Sequence, residues 1–210
     1  CHSDGRVIGP LSSSDKAELQ PPSFTRVYEG DRNHVAWTVD LRLDAEGLPV
    51  MIFSTQRDGG DVRDNLHAGG NALRYHYARF DGERWVEHEM AFAGRALYPP
   101  EADYPGLAVI HPYAVDTVYI STDADPVTGK PLISAADQQR HYEIFCGHTK
   151  DFGKTWSWTP ITQNSKRDNL RPIVAPGDPR RAPLLWLRGK LDSFVHYNLR
   201  VVMLADPPKR

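Results

Sequence analysis

Hydrophobic and polar residues alternate along much of the chain with the two-residue period of half-buried strands. Residues 34–43 (HVAWTVDLRL) follow this pattern; a turn at 44–47 and an apolar run at 48–54 (LPVMIFS) come next. Residues 73–80 (LRYHYARF) and 84–90 (RWVEHEM) flank Asp81-Gly82. That pair is a hairpin signal, because glycine supplies the positive φ of a tight turn. Further strand-like runs fall at 107–110, 117–121 (TVYIS), 141–148, 155–161, 184–187 and 199–204. Helical periodicity is confined to residues 14–19, which stop before Pro21-Pro22. The expected class is all-β.

Strands in groups of about four, recurring over ~40–50 residues, have the spacing of propeller blades. The 210 residues would form about three to four such blades. The expected organisation is an extended N-terminal linker, residues 1–26, followed by a partial β-propeller, residues 27–210. A partial propeller leaves apolar blade faces uncovered, so association with missing blades or a second chain is expected.

Charge adds little: 25 basic and 27 acidic residues give a net charge of −2, which is no field for nucleic acid. No apolar run approaches the ~20 residues of a spanning helix, so no membrane span is expected. The sequence starts at Cys1 rather than Met, which reads as a processed chain or fragment and leaves a lipid anchor at Cys1 open.

Residues 149–156 read TKDFGKTW. Asp151 can accept bonds from backbone N–H groups across the turn, Gly153 permits a positive φ, and Trp156 can pack beneath the hairpin. This stretch resembles the Asp-box of sialidase-type propellers, where it is a structural turn on the blade periphery. Other stretches are YHYARFDGERW (75–85), VYISTD (118–123), DNLRPI (168–173) and LWLRG (185–189). Together they resemble the BNR-4 repeat family, which includes ulvan lyases and related seven-bladed polysaccharide lyases, in the order of that family's C-terminal half.

The resemblance implies cleavage of a uronate-containing, ulvan-like acidic polysaccharide by β-elimination, in a secreted or periplasmic protein. Such chemistry needs a base for the proton α to the carboxylate and a cation to neutralise that carboxylate. Arginine suits the carboxylate because its planar fork binds bidentately. Arg74 and His76, two residues apart, project to one face of a strand and are the expected catalytic pair. Tyr75 and Tyr77, on the opposite face, are candidates for stacking on sugar rings or for packing between blades. Arg171 and Arg188, in the family-like motifs, are candidates for lining a central pocket or, equally, for binding backbone carbonyls between blades. Phe53 stands where a tyrosine would serve elimination. A non-catalytic carbohydrate-binding propeller and a sialidase-like hydrolase are the alternatives.

Cys146 and His148, at i and i+2 of a strand, share a face and make half of a tetrahedral zinc site. Alternation puts His141 on the other face. His76, His88 and His111 are the candidates to complete the set. A three-residue turn after Phe80 would set His76 opposite His88 and deliver both; a two-residue turn would pair His76 with Glu87. The family resemblance adds weight to zinc, and four protein ligands would make it structural.

Overall fold

A computed structural model describes residues 25–30, 35–56, 73–97, 104–177 and 182–207. The helical run at 14–19, Cys1 and the glycine-rich stretch 59–70 lie outside these residues. The described chain is all-β, with strands β1 (Val35–Leu43), β2 (Pro49–Gln56), β3 (Leu73–Phe80), β4 (Trp85–Gly94), β5 (Ala108–His111), β6 (Ala114–Thr122), β7 (Glu143–His148), β8 (Ser157–Pro160), β9 (Asp168–Val174), β10 (Leu184–Ser193) and β11 (His196–Leu204). They form three antiparallel sheets, ordered β1-β2-β3-β4, β5-β6-β7-β8 and β9-β10-β11. Every strand pairs with its neighbour in sequence.

Alternation predicts most of these strands and misses β9. The reason is visible in its backbone. Arg171 has a φ of +53° and precedes Pro172, so side-chain alternation breaks in the middle of the strand. The register records the same event: Leu185 pairs with Ile173, but Leu187 pairs with Leu170. Arg171 and Pro172 thus oppose the single residue Trp186, which is a β-bulge.

The turn after Phe80 is also longer than either expected form. Phe80 pairs with Trp85, so residues 81–84 make a four-residue loop. Asp81 closes it, its Oδ1 accepting from the N–H groups of Glu83 (2.9 Å) and Arg84 (2.8 Å). That loop length sets Tyr77 opposite His88 and His76 opposite Glu89, and a register shift follows only beyond His76, where Tyr75 pairs with Ala91.

The sheets stack through two apolar seams. Val50, Ile52, Tyr75 and Tyr77 of the first sheet meet Ile110, Val118 and Ile120 of the second. The other face of the second sheet, with Val109, Tyr119 and Ile144, meets Leu184 and Trp186 of the third. Residues 117–121 (TVYIS) therefore bury both faces of β6, and each large side chain there contributes about 1.5–3 kcal/mol. The opening strands of the sheets lie side by side, β1 against β5 and β5 against β9. The outer face of the third sheet exposes Ile173, Tyr197, Val201 and Met203.

Polar groups complete the seams. Tyr75 donates its hydroxyl to Ser121 O at 2.9 Å. Ser121 donates its hydroxyl to Asn169 O at 2.6 Å, which ties the second sheet to the third. The turn at 149–156 is held by Asp151. Its Oδ1 accepts from the Thr155 N–H (2.9 Å) and the Thr149 hydroxyl (2.9 Å), and its Oδ2 from the Thr155 hydroxyl (2.7 Å). Trp156 donates to Gly153 O and packs edge-on against Tyr77. A side chain at Gly153, where φ is +93°, would overlap Tyr77.

Candidate functional site

Up-and-down strands send alternate connections to opposite ends of the sheets. The tight turns 44–47, 81–84, 112–113 and 149–156 belong to one end. The longer connections before β5, β7 and β9 belong to the other, together with the β10–β11 turn. At this second end, residues from all three sheets meet.

The bulge at Arg171 directs its side chain to two aromatic rings. The guanidinium carbon lies 5.4 Å from the Tyr104 ring centre and 5.8 Å from that of Phe194. Tyr104 sits edge-on to Phe194 at 6.0 Å and to Trp37 at 6.4 Å. Trp37 opens β1, Tyr104 leads into β5, and Phe194 is in the turn between β10 and β11. The Arg171 backbone N–H donates to Gly106 O at 2.8 Å, pinning the bulge to the segment that carries Tyr104. Trp37 and Phe194 are 47% and 48% exposed as residues. Among the described residues the Arg171 guanidinium has no ion pair with a carboxylate, and it lies near two ring faces.

A positive-φ arginine is uncommon backbone, costing about 1–3 kcal/mol. Here that backbone sets a guanidinium without an ion-pair partner between the half-buried Tyr104 ring and the exposed Phe194 ring. Cation–π contact holds it at an exposed site with about 0.5–1 kcal/mol, and leaves its N–H fork able to take a ligand carboxylate.

Next to this platform is a charge cluster that alternation does not reveal. Asp123, fully buried, accepts from the Arg95 backbone N–H (2.9 Å), Arg95 Nε (2.7 Å) and an Arg140 terminal nitrogen (2.9 Å). Arg140 Nε also reaches Asp123 O at 3.0 Å. Tyr142 donates its hydroxyl to Arg95 O. His141 lies between Asp137 (2.9 Å from Nε2) and Asp168 (3.2 Å from Nδ1). Burial pulls the imidazole's pKa down, but the bonds to Asp137 and Asp168 prevail and hold it above its ordinary value. Burial pushes the Asp168 carboxyl up. These residues come from the β4–β5 connection (Arg95), the β6–β7 connection (Asp123, Asp137, Arg140, His141, Tyr142) and the start of β9 (Asp168); the Asp137–His141 pair is local, whereas the Asp168–His141 pair shows only in the fold.

The residues singled out from the sequence are placed as follows. Arg74 and His76 do share a face of β3, on the side away from the second sheet. Arg74 Nε donates to Glu89 at 3.1 Å, and its guanidinium lies 3.7 Å above the Phe92 ring. His76 hydrogen-bonds to Glu87 through Nδ1 and lies 2.9 Å from the Thr55 hydroxyl through Nε2. Phe53 stacks on its ring, and Tyr28 stands 5.8 Å away. Both are thus engaged within the first sheet.

Tyr75 and Tyr77 are not open to sugar rings: both are buried in the first seam. Burial pushes the Tyr77 hydroxyl up to about 12 and Tyr75 well above its usual range.

The four expected zinc ligands do not converge. Cys146 packs in the second seam, whereas His76 is on the far face of the first sheet. His88 pairs with Tyr77 rather than His76. His148 shares the face of Cys146 but bonds to the Thr117 hydroxyl at 3.4 Å. Among the described residues no three His, Cys, Asp or Glu side chains are grouped to hold a metal. Arg188 is exposed on β10, where it pairs with Asn169 of β9 and Arg200 of β11. Compared with known proteins, the sequence matches no family model and no curated protein.

Proposed function

We propose that this chain is a segment of a β-propeller that binds an acidic, uronate-type polysaccharide at the Arg171 platform. The observation that carries the reading is the Arg171 guanidinium, without an ion-pair partner, set between Tyr104 and Phe194, with Trp37 beside them. Aromatic faces stack on the apolar faces of sugar rings, and an arginine fork pairs with a carboxylate. The propeller reading is supported by successive four-stranded meanders whose opening strands adjoin. It is further supported by the Asp151 turn, which has the bonding expected of an Asp-box. The likeness to BNR-4 polysaccharide lyases supplies the ligand class.

The test is binding of polygalacturonate and ulvan, measured by calorimetry, to the wild-type chain and to Arg171→Ala and Trp37→Ala. Each substitution is expected to weaken binding at least about tenfold, the scale of one lost charge-assisted pair or stacking contact. Unchanged affinity in both variants would sink the reading.

A second reading, β-elimination, is favoured by the histidine–carboxylate pair His76–Glu87 beside the Tyr28 ring. A histidine held by a carboxylate can serve as the base, and tyrosine as the acid. Elimination would create an unsaturated uronate with a new ultraviolet band, lost in His76→Ala. Binding without that band leaves the platform as a recognition site.

A further inference from the structure

We infer a second site on the third sheet, built for a tetrahedral oxyanion such as a sulfate or phosphate group. It is a cavity of about 440 Å³ lined by Arg167, Arg188, Gly189, Asn198, Arg200 and Val202. None of these belongs to the Arg171 platform, and the inference does not rest on the reading of that platform.

The cavity follows from strand register. Trp186 of β10 pairs with Val202 of β11, and the next pair on the same face is Arg188 with Arg200. The apolar seam therefore passes directly into two arginines set opposite one another. Like charges in directly opposed positions destabilise a sheet. Arg167 comes from the connection before β9, where Asn169 is the β9 partner of Arg188. Three arginines from three adjacent segments thus face one space.

No described carboxylate balances them: none of the three is in an ion pair with a described residue. Glu143 is engaged by the N–H and hydroxyl of Ser165, both at 2.8 Å. Asp168 accepts from the Tyr142 N–H and pairs with His141. The cavity floor depends on Gly189, whose φ is +155° and where a Cβ would overlap Asn198 O. Only glycine lets the two strands close behind the arginines.

Three guanidinium forks offer more donors than one carboxylate can accept. A sulfate or phosphate group presents three or more oxygens and matches them better. The group can be a free ion or an ester on a polymer.

The experiment follows the arginine Nε–H signals by NMR while sodium sulfate, sodium phosphate, sulfated dextran or neutral dextran is added, with sodium chloride holding ionic strength constant. Saturable shifts of the Arg167, Arg188 and Arg200 signals are expected with sulfate and with sulfated dextran, and none with neutral dextran. Arg188→Gln and Arg200→Gln should each weaken saturation at least about fivefold, as charge-assisted bonds are lost. Saturation by sulfated dextran alone would assign the site to a polymer ester; saturation by the free ions as well would assign it to either source. Arg200→Gln should also melt no lower than wild type in chloride, since it removes a like-charge pair, and this separates lost binding from lost folding. The absence of saturable shifts with every anion would overturn the proposal, as would shifts unchanged in both variants.

Discussion

Trp186 donates its indole N–H to Asn169 Oδ1 across 2.9 Å, joining the two strands on either side of the β9 bulge inside the second seam. Asn169 is fully buried and uses its amide nitrogen as well, toward Tyr142 O, the Ser165 hydroxyl and Glu143. One side chain thus satisfies polar groups on both the second and third sheets. Replacing it with alanine strands the indole N–H and removes a donor from the buried Glu143 carboxylate. Asn169→Ala is expected to cost about 2–3 kcal/mol, lowering Tm by roughly 5–10 °C. Calorimetric melting checks this; a change under about 1 °C would count against the stapling role.

Asp123 is the corresponding joint between the first and second sheets. Removing its carboxylate takes away the anion that Arg95 and Arg140 share. Asp123→Ala should lose about 3–5 kcal/mol, the range for breaking a buried ion pair from one side. Arg95 is 42% exposed, so water will rehydrate part of it and the lower end is expected. Gly94→Ala should act through the same joint, because φ is +81° and a Cβ would overlap the Asp123 carboxylate. Urea titration of both variants measures the effect.

His141 predicts a pH dependence above neutrality. Its folded pKa is raised by Asp137 and Asp168 against the opposing effect of burial. A group raised on folding gives its full stabilisation below its unfolded pKa, about 6.5, and loses it as pH rises through the folded value. The urea midpoint of the wild type should therefore fall from pH 6 to pH 8 relative to that of His141→Gln. Parallel midpoints for the two proteins across this range would contradict the expectation.

The Asp151 turn has the opposite sign and a different window. Hydrogen bonds from the Thr155 hydroxyl and N–H hold its carboxyl down to about 2. A depressed carboxyl stabilises above its unfolded pKa of about 3.9 and ceases to do so as pH falls through the folded value. Asp151→Asn should melt below wild type between pH 5 and 7, and the difference should shrink from pH 4 to pH 2. Thermal scans at those pH values are the check.

Local sequence carried most of the strand pattern. Asp81-Gly82 marked a hairpin correctly, and Asp44 to Gly47 marked a turn, because both depend on residues within a few positions. The loop length did not follow, since it turns on Asp81 capping two N–H groups, and a one-residue change there decided where His76 and His88 stand. β9 was missed because Arg171 and Pro172 interrupt its alternation. His141 was assigned to a strand face, but β7 begins at Glu143, so alternation did not apply to it. Arg171 is recognisable as a candidate; its ring partners, Tyr104 and Phe194, are brought to it by the segment before β5 and by the β10–β11 turn, which lie side by side only in the fold.

The strict up-and-down order of the strands has a kinetic consequence. Each sheet is one contiguous stretch of chain, so its hydrogen bonds close short loops and can form early. The contacts with long loops include the joints Tyr75 to Ser121 and Ser121 to Asn169. Meanders should assemble first and dock later, with the buried polar joints formed in the slow phase. Substitutions at Asn169 and Asp123 would then accelerate unfolding more than they delay refolding.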